Sequence, residues 1–174
     1  MAINKKVNTI TYLGVMLAFS VALLFLSSFV PGVELTLYAL ASFFVGIVIV
    51  EEGVKAGILF YVATILLSLV IVPNKMGILP YVFLFGLFGI AKFYIEKLRK
   101  FPLEMVLKLV FFNGVMAIGL FFFKELFMMN LDLPQLPLFL IIIGGEFMFL
   151  LYDYLYTQVI GFYIRNIKKF KGAL

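Results

Sequence analysis

The chain has 174 residues, of which 65% are hydrophobic and only 13% are charged, and its formal net charge is +5. This composition excludes an ordinary soluble globule. Cysteine and histidine are both absent, which excludes disulfides, cysteine nucleophiles, and the commonest general base and metal ligand. The sequence therefore predicts a membrane protein with no metal, no cofactor and no catalytic residues.

Six long apolar runs follow one another along the chain, separated by short connections. Their lengths of roughly 18 to 29 residues suffice for α-helices that cross a ~30 Å hydrocarbon core. The runs do not show the ~10-residue alternation of barrel strands. The expected spans are residues 10–30, 33–50, 54–72, 77–95, 105–129 and 136–164. The sequence thus predicts an all-α integral membrane protein, a single six-helix domain over residues 1–174.

The connections carry residues that end helices or form turns. Pro-Gly at 31–32 ends the first run, Glu-Glu-Gly at 51–53 ends the second, and Pro-Asn-Lys at 73–75 ends the third. The fourth run meets the most charged connection, residues 96–104. Because every connection is short, we expect no soluble domain on either side of the membrane.

Basic residues are distributed unequally between the two sides that these spans define. Six spans place both termini on one side, and that side carries twelve of the fourteen lysines and arginines. The other side carries only Lys75 and Lys124. Because cytoplasmic connections are enriched in basic residues, the sequence predicts that both termini are cytoplasmic. We attribute the positive charge to this orientation and expect no nucleic-acid binding.

Small residues recur at every fourth position of the first run, at Gly14, Ala18 and Ala22. On a helix they form a stripe along one face. Such a stripe lets another helix approach closely, and close packing is the main attraction between helices in lipid. The stripe is compatible with packing inside the chain and with docking of a separate membrane protein, and the sequence leaves both open.

Two carboxylates lie inside the last run, at Glu146 and Asp153. Their spacing of seven residues places them on one helix face. A charged side chain near the bilayer centre costs at least ~2.5–3.5 kcal/mol on insertion scales, so this face must contact protein or a wet cavity. For Asp153 we expect an ion pair with Lys92 or Lys108, which lie at a similar depth.

Glu146 is predicted to lie nearer the middle of the membrane than Asp153. Its neighbours Gly144 and Gly145 leave room beside the helix for a side chain or a ligand. Lys124 or Asn113 of the fifth run could pair with it. Contact with a ligand and structural pairing are equally compatible with the sequence.

Two short motifs resemble parts of intramembrane proteases, and each lacks its partner. Glu51-Glu52 resembles the glutamate pair of CAAX-type proteases, which also need histidines that this chain lacks. Tyr152-Asp153 resembles half of an aspartyl protease pair, but the only other aspartate, Asp132, lies in an outer connection. We therefore interpret residues 51–55 as a polar turn and assign Asp153 no catalytic role.

Several polar and aromatic residues are predicted to lie together at the outer ends of the helices. Tyrosines at this level are either interfacial anchors or the lining of a pocket that stacks on a small solute and donates hydrogen bonds. The sequence does not decide between these alternatives. The group comprises Glu34, Tyr38, Asn74, Lys75, Tyr81, Lys124 and Asp132.

In size, helix number, cytoplasmic termini and small-residue stripe, the chain resembles the substrate-binding S components of energy-coupling-factor (ECF) transporters, which are bacterial vitamin importers. Ala18 and Ala22, with Gly14 one turn earlier, match the alanine-x-x-x-alanine stripe by which that family docks onto a membrane coupling subunit. The resemblance implies a bacterial plasma-membrane protein in the lipid bilayer. It also implies partner ATPase subunits, because the chain has no Gly-x-x-x-x-Gly-Lys-Ser/Thr loop of its own.

The resemblance further implies an outward-facing pocket for a small solute, formed by the later helices and by the connections after the first and third helices. By position it nominates Glu34, Asn74, Lys75, Lys124 and Glu146. The histidine motif of the nickel and cobalt members is absent, and no signature identifies another solute. The rod-shape membrane protein of cell-wall elongation is similar in size and helix number. The alternative function is therefore a membrane scaffold or interaction protein that binds no solute.

Overall fold

The structure is a computed structural model that describes residues 2–129 and 138–168, without the side chains at 2–8, 120, 122–129, 138, 141 and 167–168. The described residues form six α-helices: α1 (Ala2–Leu26), α2 (Glu34–Glu52), α3 (Val54–Ile71), α4 (Gly86–Glu96), α5 (Phe101–Met129) and α6 (Leu138–Phe162). A 3-10 turn, Met76–Ile78, and a π-helical segment, Tyr81–Phe85, precede α4. A second π-helical segment, Tyr163–Lys168, follows α6.

Six helical stretches among the described residues are long and apolar enough to cross a membrane. These are Thr9–Leu26, Glu34–Glu52, Val54–Ile71, Met76–Glu96, Phe101–Gly119 and Ile142–Asn166. The predicted all-α fold with six potential spans is therefore confirmed, and it indicates a multi-pass membrane protein. The cytoplasmic location of both termini and the single six-span domain stay predictions.

The fourth span is less regular than a single predicted helix over 77–95. It consists of the 3-10 turn, the π-helical segment and α4 in succession. Pro80 lies immediately before the π-helical segment, and proline removes a backbone donor and clashes with the preceding turn. In the π-helical segment the backbone hydrogen bonds run from residue i to i+5, and single turns of this kind are the usual form of π-helix inside α-helices.

Local hydrogen bonds fix the first two connections. Ser27 donates its hydroxyl to the carbonyl of Leu24 at 2.7 Å as α1 ends. The backbone N–H of Gly32, at φ +86°, donates to the Glu34 carboxylate at 2.8 Å, just as α2 begins. Gly53, at φ +87°, is the single residue between α2 and α3. Because this left-handed conformation suits glycine, the chain reverses there within one residue.

The described chain forms two compact units. The first comprises the chain up to Ile90 together with the part after Gln158, and the second runs from Ala91 to Gln158. In the first unit, α1, α2 and α3 pack on one another, and the π-helical segment before α4 packs on α2. Its apolar core contains Val45, Val48, Ile49, Phe60 and Ile90.

Small and hydroxylic residues allow close helix contacts inside this first unit. The buried Ser20 hydroxyl on α1 donates to the Ala41 carbonyl on α2 at 3.3 Å. The hydroxyls of Tyr12 and Tyr163 lie 2.8 Å apart, so they join α1 to the π-helical segment after α6. Hydrogen bonds of this kind hold membrane helices together where the hydrophobic effect contributes little.

Candidate functional site

The small-residue stripe on α1 lies in an open groove of about 460 Å³. Gly14, Ala18 and Ala22 are all exposed. A Cβ added at Gly14 would meet no atom within 4 Å. The groove is lined by Gly14, Leu17, Ala18, Val21, Ala22 and Phe25 of α1 and by Leu67 and Ile71 of α3. Packing among the described residues therefore leaves the stripe uncovered.

Packing of α1 within its own unit uses other positions. Leu13, Met16 and Leu17 pack against the apolar core, and Ser20 bonds to α2. Only Leu17 among these also lines the groove. The helix thus presents one face to α2 and α3 and leaves the stripe available to another hydrophobic surface.

In the second unit, four charged side chains from three helices form a ring of alternating charge, which we call the charge ring. Its members are Lys92 and Glu96 of α4, Lys108 of α5 and Asp153 of α6. Lys92 bonds to Oδ1 of Asp153 and lies 2.6 Å from Oε1 of Glu96. Lys108 lies 2.8 Å from Oδ2 of Asp153 and 2.9 Å from Oε1 of Glu96.

The charge ring is largely buried and has no net charge. The side chains of Lys92, Lys108 and Asp153 are 6%, 7% and 12% exposed, whereas that of Glu96 is 39% exposed. Lys92 also donates to the Thr157 hydroxyl at 2.9 Å. Removing ions from water is costly, and pairing with full hydrogen bonding offsets that cost. The ring therefore joins α4, α5 and α6 at one level.

The sequence-predicted ion pair of Asp153 involves both candidate lysines in the structure, one on each carboxylate oxygen. Glu96 is the member that sequence reasoning missed, because it was assigned to the charged connection after the fourth span. Its position four residues after Lys92 is the signal that could have identified it, since residues at that spacing contact each other on a helix.

The helices α5 and α6 lie side by side in antiparallel register. Lys108 contacts Asp153, and one turn further along α5 the ring of Phe112 stacks on Phe149 with centroids 4.6 Å apart. Each step forward on α5 thus matches an equal step backward on α6. This register brings Asn113 to Glu146, with Nδ2 of Asn113 3.2 Å from Oε1 of Glu146.

Glu146 and Asn113 form a polar pair between α5 and α6. Nδ2 of Asn113 also donates to the Leu109 carbonyl at 3.0 Å. The room predicted beside Gly144 and Gly145 is only partly present: a Cβ added at Gly144 would meet no atom within 4 Å, whereas one at Gly145 would contact the Phe112 ring at 3.6 Å. Asn113 is therefore the predicted partner that the structure brings to Glu146, whereas the Lys124 side chain lies outside the described residues.

Three of the residues predicted at the outer ends of the helices bond to their own connections. Glu34 accepts from the Gly32 N–H. Oδ1 of Asn74 accepts from the Gly77 N–H at 3.0 Å. Lys75 donates to the carbonyls of Val72 and Val70 at 2.8 and 3.3 Å, where α3 ends. These contacts shape the two connections.

The two tyrosines of the same predicted group lie in the interior of the first unit. Tyr38 and Tyr81 are 4% and 0% exposed, so neither is an exposed interfacial anchor. The ring of Tyr38 lies 6.0 Å from that of Phe85, and the ring of Tyr81 lies 6.4 Å from that of Tyr61. Asp132 lies outside the described residues.

No protein-family model, curated protein or solved structure matches this chain. In the part of the chain that the structure describes, no three acidic, histidine or cysteine residues come together as a metal site. The candidate functional features of the described residues are the open groove, the charge ring and the Glu146–Asn113 pair.

Proposed function

We propose that the chain is the membrane substrate-binding subunit of an ECF-type uptake transporter. It captures a small solute such as a vitamin and depends on partner ATPases and a coupling membrane subunit. The observation that carries this proposal is the open groove along Gly14, Ala18 and Ala22. In this proposal the chain lies in a bacterial plasma membrane with both termini in the cytoplasm.

The groove has the chemistry of a docking surface for an apolar helix. All eight residues that line it are apolar. Because Gly14 has no side chain and Ala18 and Ala22 have short ones, a partner helix can approach the α1 backbone closely. Close approach increases the number of van der Waals contacts between the helices. These contacts drive helix association in a membrane, where the hydrophobic effect contributes little because lipid tails are themselves apolar.

The Glu146–Asn113 pair is the proposed point of solute recognition in the membrane-spanning region. A carboxylate is costly at this depth, and the described residues give it one amide partner. Asn113 is itself exposed, so this contact can be reached from outside the unit. In the proposed cycle, solute binding is followed by reorientation of the protein against the coupling subunit through the α1 groove.

We expect Ala18→Leu to abolish partner binding, because the larger side chain fills the groove that the partner helix must enter. The fold should persist, since Ala18 is exposed. The measurement is an affinity pull-down of tagged protein from its native membranes in mild detergent, with mass spectrometry of the eluate. Two ATPases and a larger membrane protein are expected with the wild type and not with the variant.

The matched control is Ala117→Leu, which makes the same change at an exposed position on α5. This control should recover the same partners as the wild type. Equal recovery of partners by Ala18→Leu would refute docking through the groove. Absence of ATPases from every eluate would refute the transporter assignment.

The second candidate is a membrane scaffold that uses the same groove and binds no solute. It is favoured by the local hydrogen bonds of Glu34, Asn74 and Lys75. Because these bonds hold the three side chains to their own connections, they compete with contacts to a solute. Small-molecule analysis of the same eluates separates the two functions. A solute retained by the wild type supports the transporter, and cell-envelope proteins without a solute support the scaffold.

A further inference from the structure

The connection between α4 and α5 presents three exposed cations. Lys97, Arg99 and Lys100 are all exposed. Arg99 adopts a left-handed backbone conformation, at φ +53°. The three basic residues lie within four positions of the sequence, between the helical stretches Met76–Glu96 and Phe101–Gly119, which are both long enough to cross a membrane.

These cations have no salt bridge among the described residues. Glu96, the nearest carboxylate in sequence, is already bound by Lys92 and Lys108 in the charge ring. The ring has equal numbers of positive and negative members, so it leaves the charge of the connection uncompensated. Glu104, half-buried in the first turn of α5, is the remaining carboxylate nearby. The connection therefore keeps a net positive charge.

Exposed apolar side chains flank the same connection at the ends of both helices. Tyr94 and Phe101 are 55% and 73% exposed, and Phe93 and Leu98 are also exposed. Aromatic side chains next to lysines and arginines are typical of the boundary between hydrocarbon and headgroups. The cations would then lie at the level of lipid phosphates while the flanking rings lie among the acyl chains.

We propose that residues 97–100, with Tyr94 and Phe101 beside them, bind the phosphate headgroup of an anionic lipid such as phosphatidylglycerol. The three unpaired cations supply attraction to the phosphate, as basic clusters beside membrane helices do. The exposed rings favour a lipid over free phosphate, because they contact acyl chains that an inorganic ion lacks.

The test is a lipid titration of purified full-length protein in uncharged detergent, read by native mass spectrometry. The probes are phosphatidylglycerol and phosphatidylcholine. We expect Lys97→Gln/Arg99→Gln/Lys100→Gln to weaken phosphatidylglycerol binding by roughly 100-fold, at about fivefold per cation. Phosphatidylcholine binding should not change. Lys97→Arg/Lys100→Arg, which keeps the charge, should bind as the wild type does.

The control for general surface charge is Lys5→Gln/Lys6→Gln/Lys55→Gln, which removes three lysines from the same predicted side of the membrane. It should leave phosphatidylglycerol binding within a few-fold of wild type. Equal loss in this control, or no loss in the connection variant, would overturn the proposal. Full competition by millimolar inorganic phosphate would assign the site to a free anion and would overturn it as well.

Discussion

Replacement of Asp153 by alanine is expected to destabilise the unit Ala91–Gln158 by about 3–5 kcal/mol, the usual cost of removing one partner from a buried ion pair. Asp153 accepts from Lys92 and from Lys108. Without it, the two lysines share Glu96, which is itself 39% exposed. The free energy of unfolding in mixed micelles, followed by circular dichroism, measures the effect.

Glu146→Ala is the matched control on the same helix. The Glu146–Asn113 contact is exposed, so its loss should cost no more than about 1 kcal/mol. The double variant Lys108→Met/Asp153→Leu removes one charge of each sign and keeps the Lys92–Glu96 pair. It should recover most of the stability lost in Asp153→Ala, because buried ion pairs are often replaceable by apolar residues. Equal stabilities of Asp153→Ala and Glu146→Ala would show that the charge ring contributes little.

Replacement of Gly86 by alanine is expected to destabilise the first unit by about 1–3 kcal/mol, through overpacking. A Cβ at Gly86 would lie 2.7 Å from Cε2 of Tyr61 and 3.0 Å from Cζ of Tyr81. The Tyr61 ring is restrained, because its hydroxyl donates to the Val82 carbonyl at 2.5 Å. Tyr81 is fully buried, so neither ring can move aside without disturbing its neighbours.

The matched control for this substitution is Gly114→Ala on α5. A Cβ there meets no atom within 4 Å, and alanine favours the helix by up to about 1 kcal/mol over glycine. Thermal unfolding in detergent should therefore rank Gly114→Ala at or above the wild type and Gly86→Ala below it. A Gly86→Ala variant as stable as the wild type would contradict the close packing of Tyr61 and Tyr81.

The number and approximate limits of the spans could be predicted from sequence because the length of an apolar run is a strong constraint. A span must supply enough residues to cross hydrocarbon, and prolines and glycines separate one run from the next. The π-helical segment at Tyr81–Phe85 could not be predicted in this way. Its backbone bonding depends on how Pro80 and Gly86 fit their neighbours, which composition does not encode.

The candidate sites, like the fold, could be predicted from the sequence only in part. Asp153 was recognised because a carboxylate in a membrane span needs a partner, but composition could not show that two lysines and Glu96 share the contact. For Tyr38 and Tyr81 the sequence leaves open an interfacial anchor or a pocket lining, and the structure shows that both side chains are buried. Apolar residues surround every face of these spans, so sequence periodicity did not distinguish interior from exterior.

Because the chain is synthesised from its N-terminus, the members of the charge ring become available one after another. Lys92, Glu96 and Lys108 emerge from the ribosome before Asp153, which lies 45 residues beyond Lys108. A nascent chain that ends before α6 holds two lysines and a single carboxylate at this level. Until α6 is made, Glu96 is the ring carboxylate within reach of these lysines, and we expect the second positive charge to be neutralised only when Asp153 arrives.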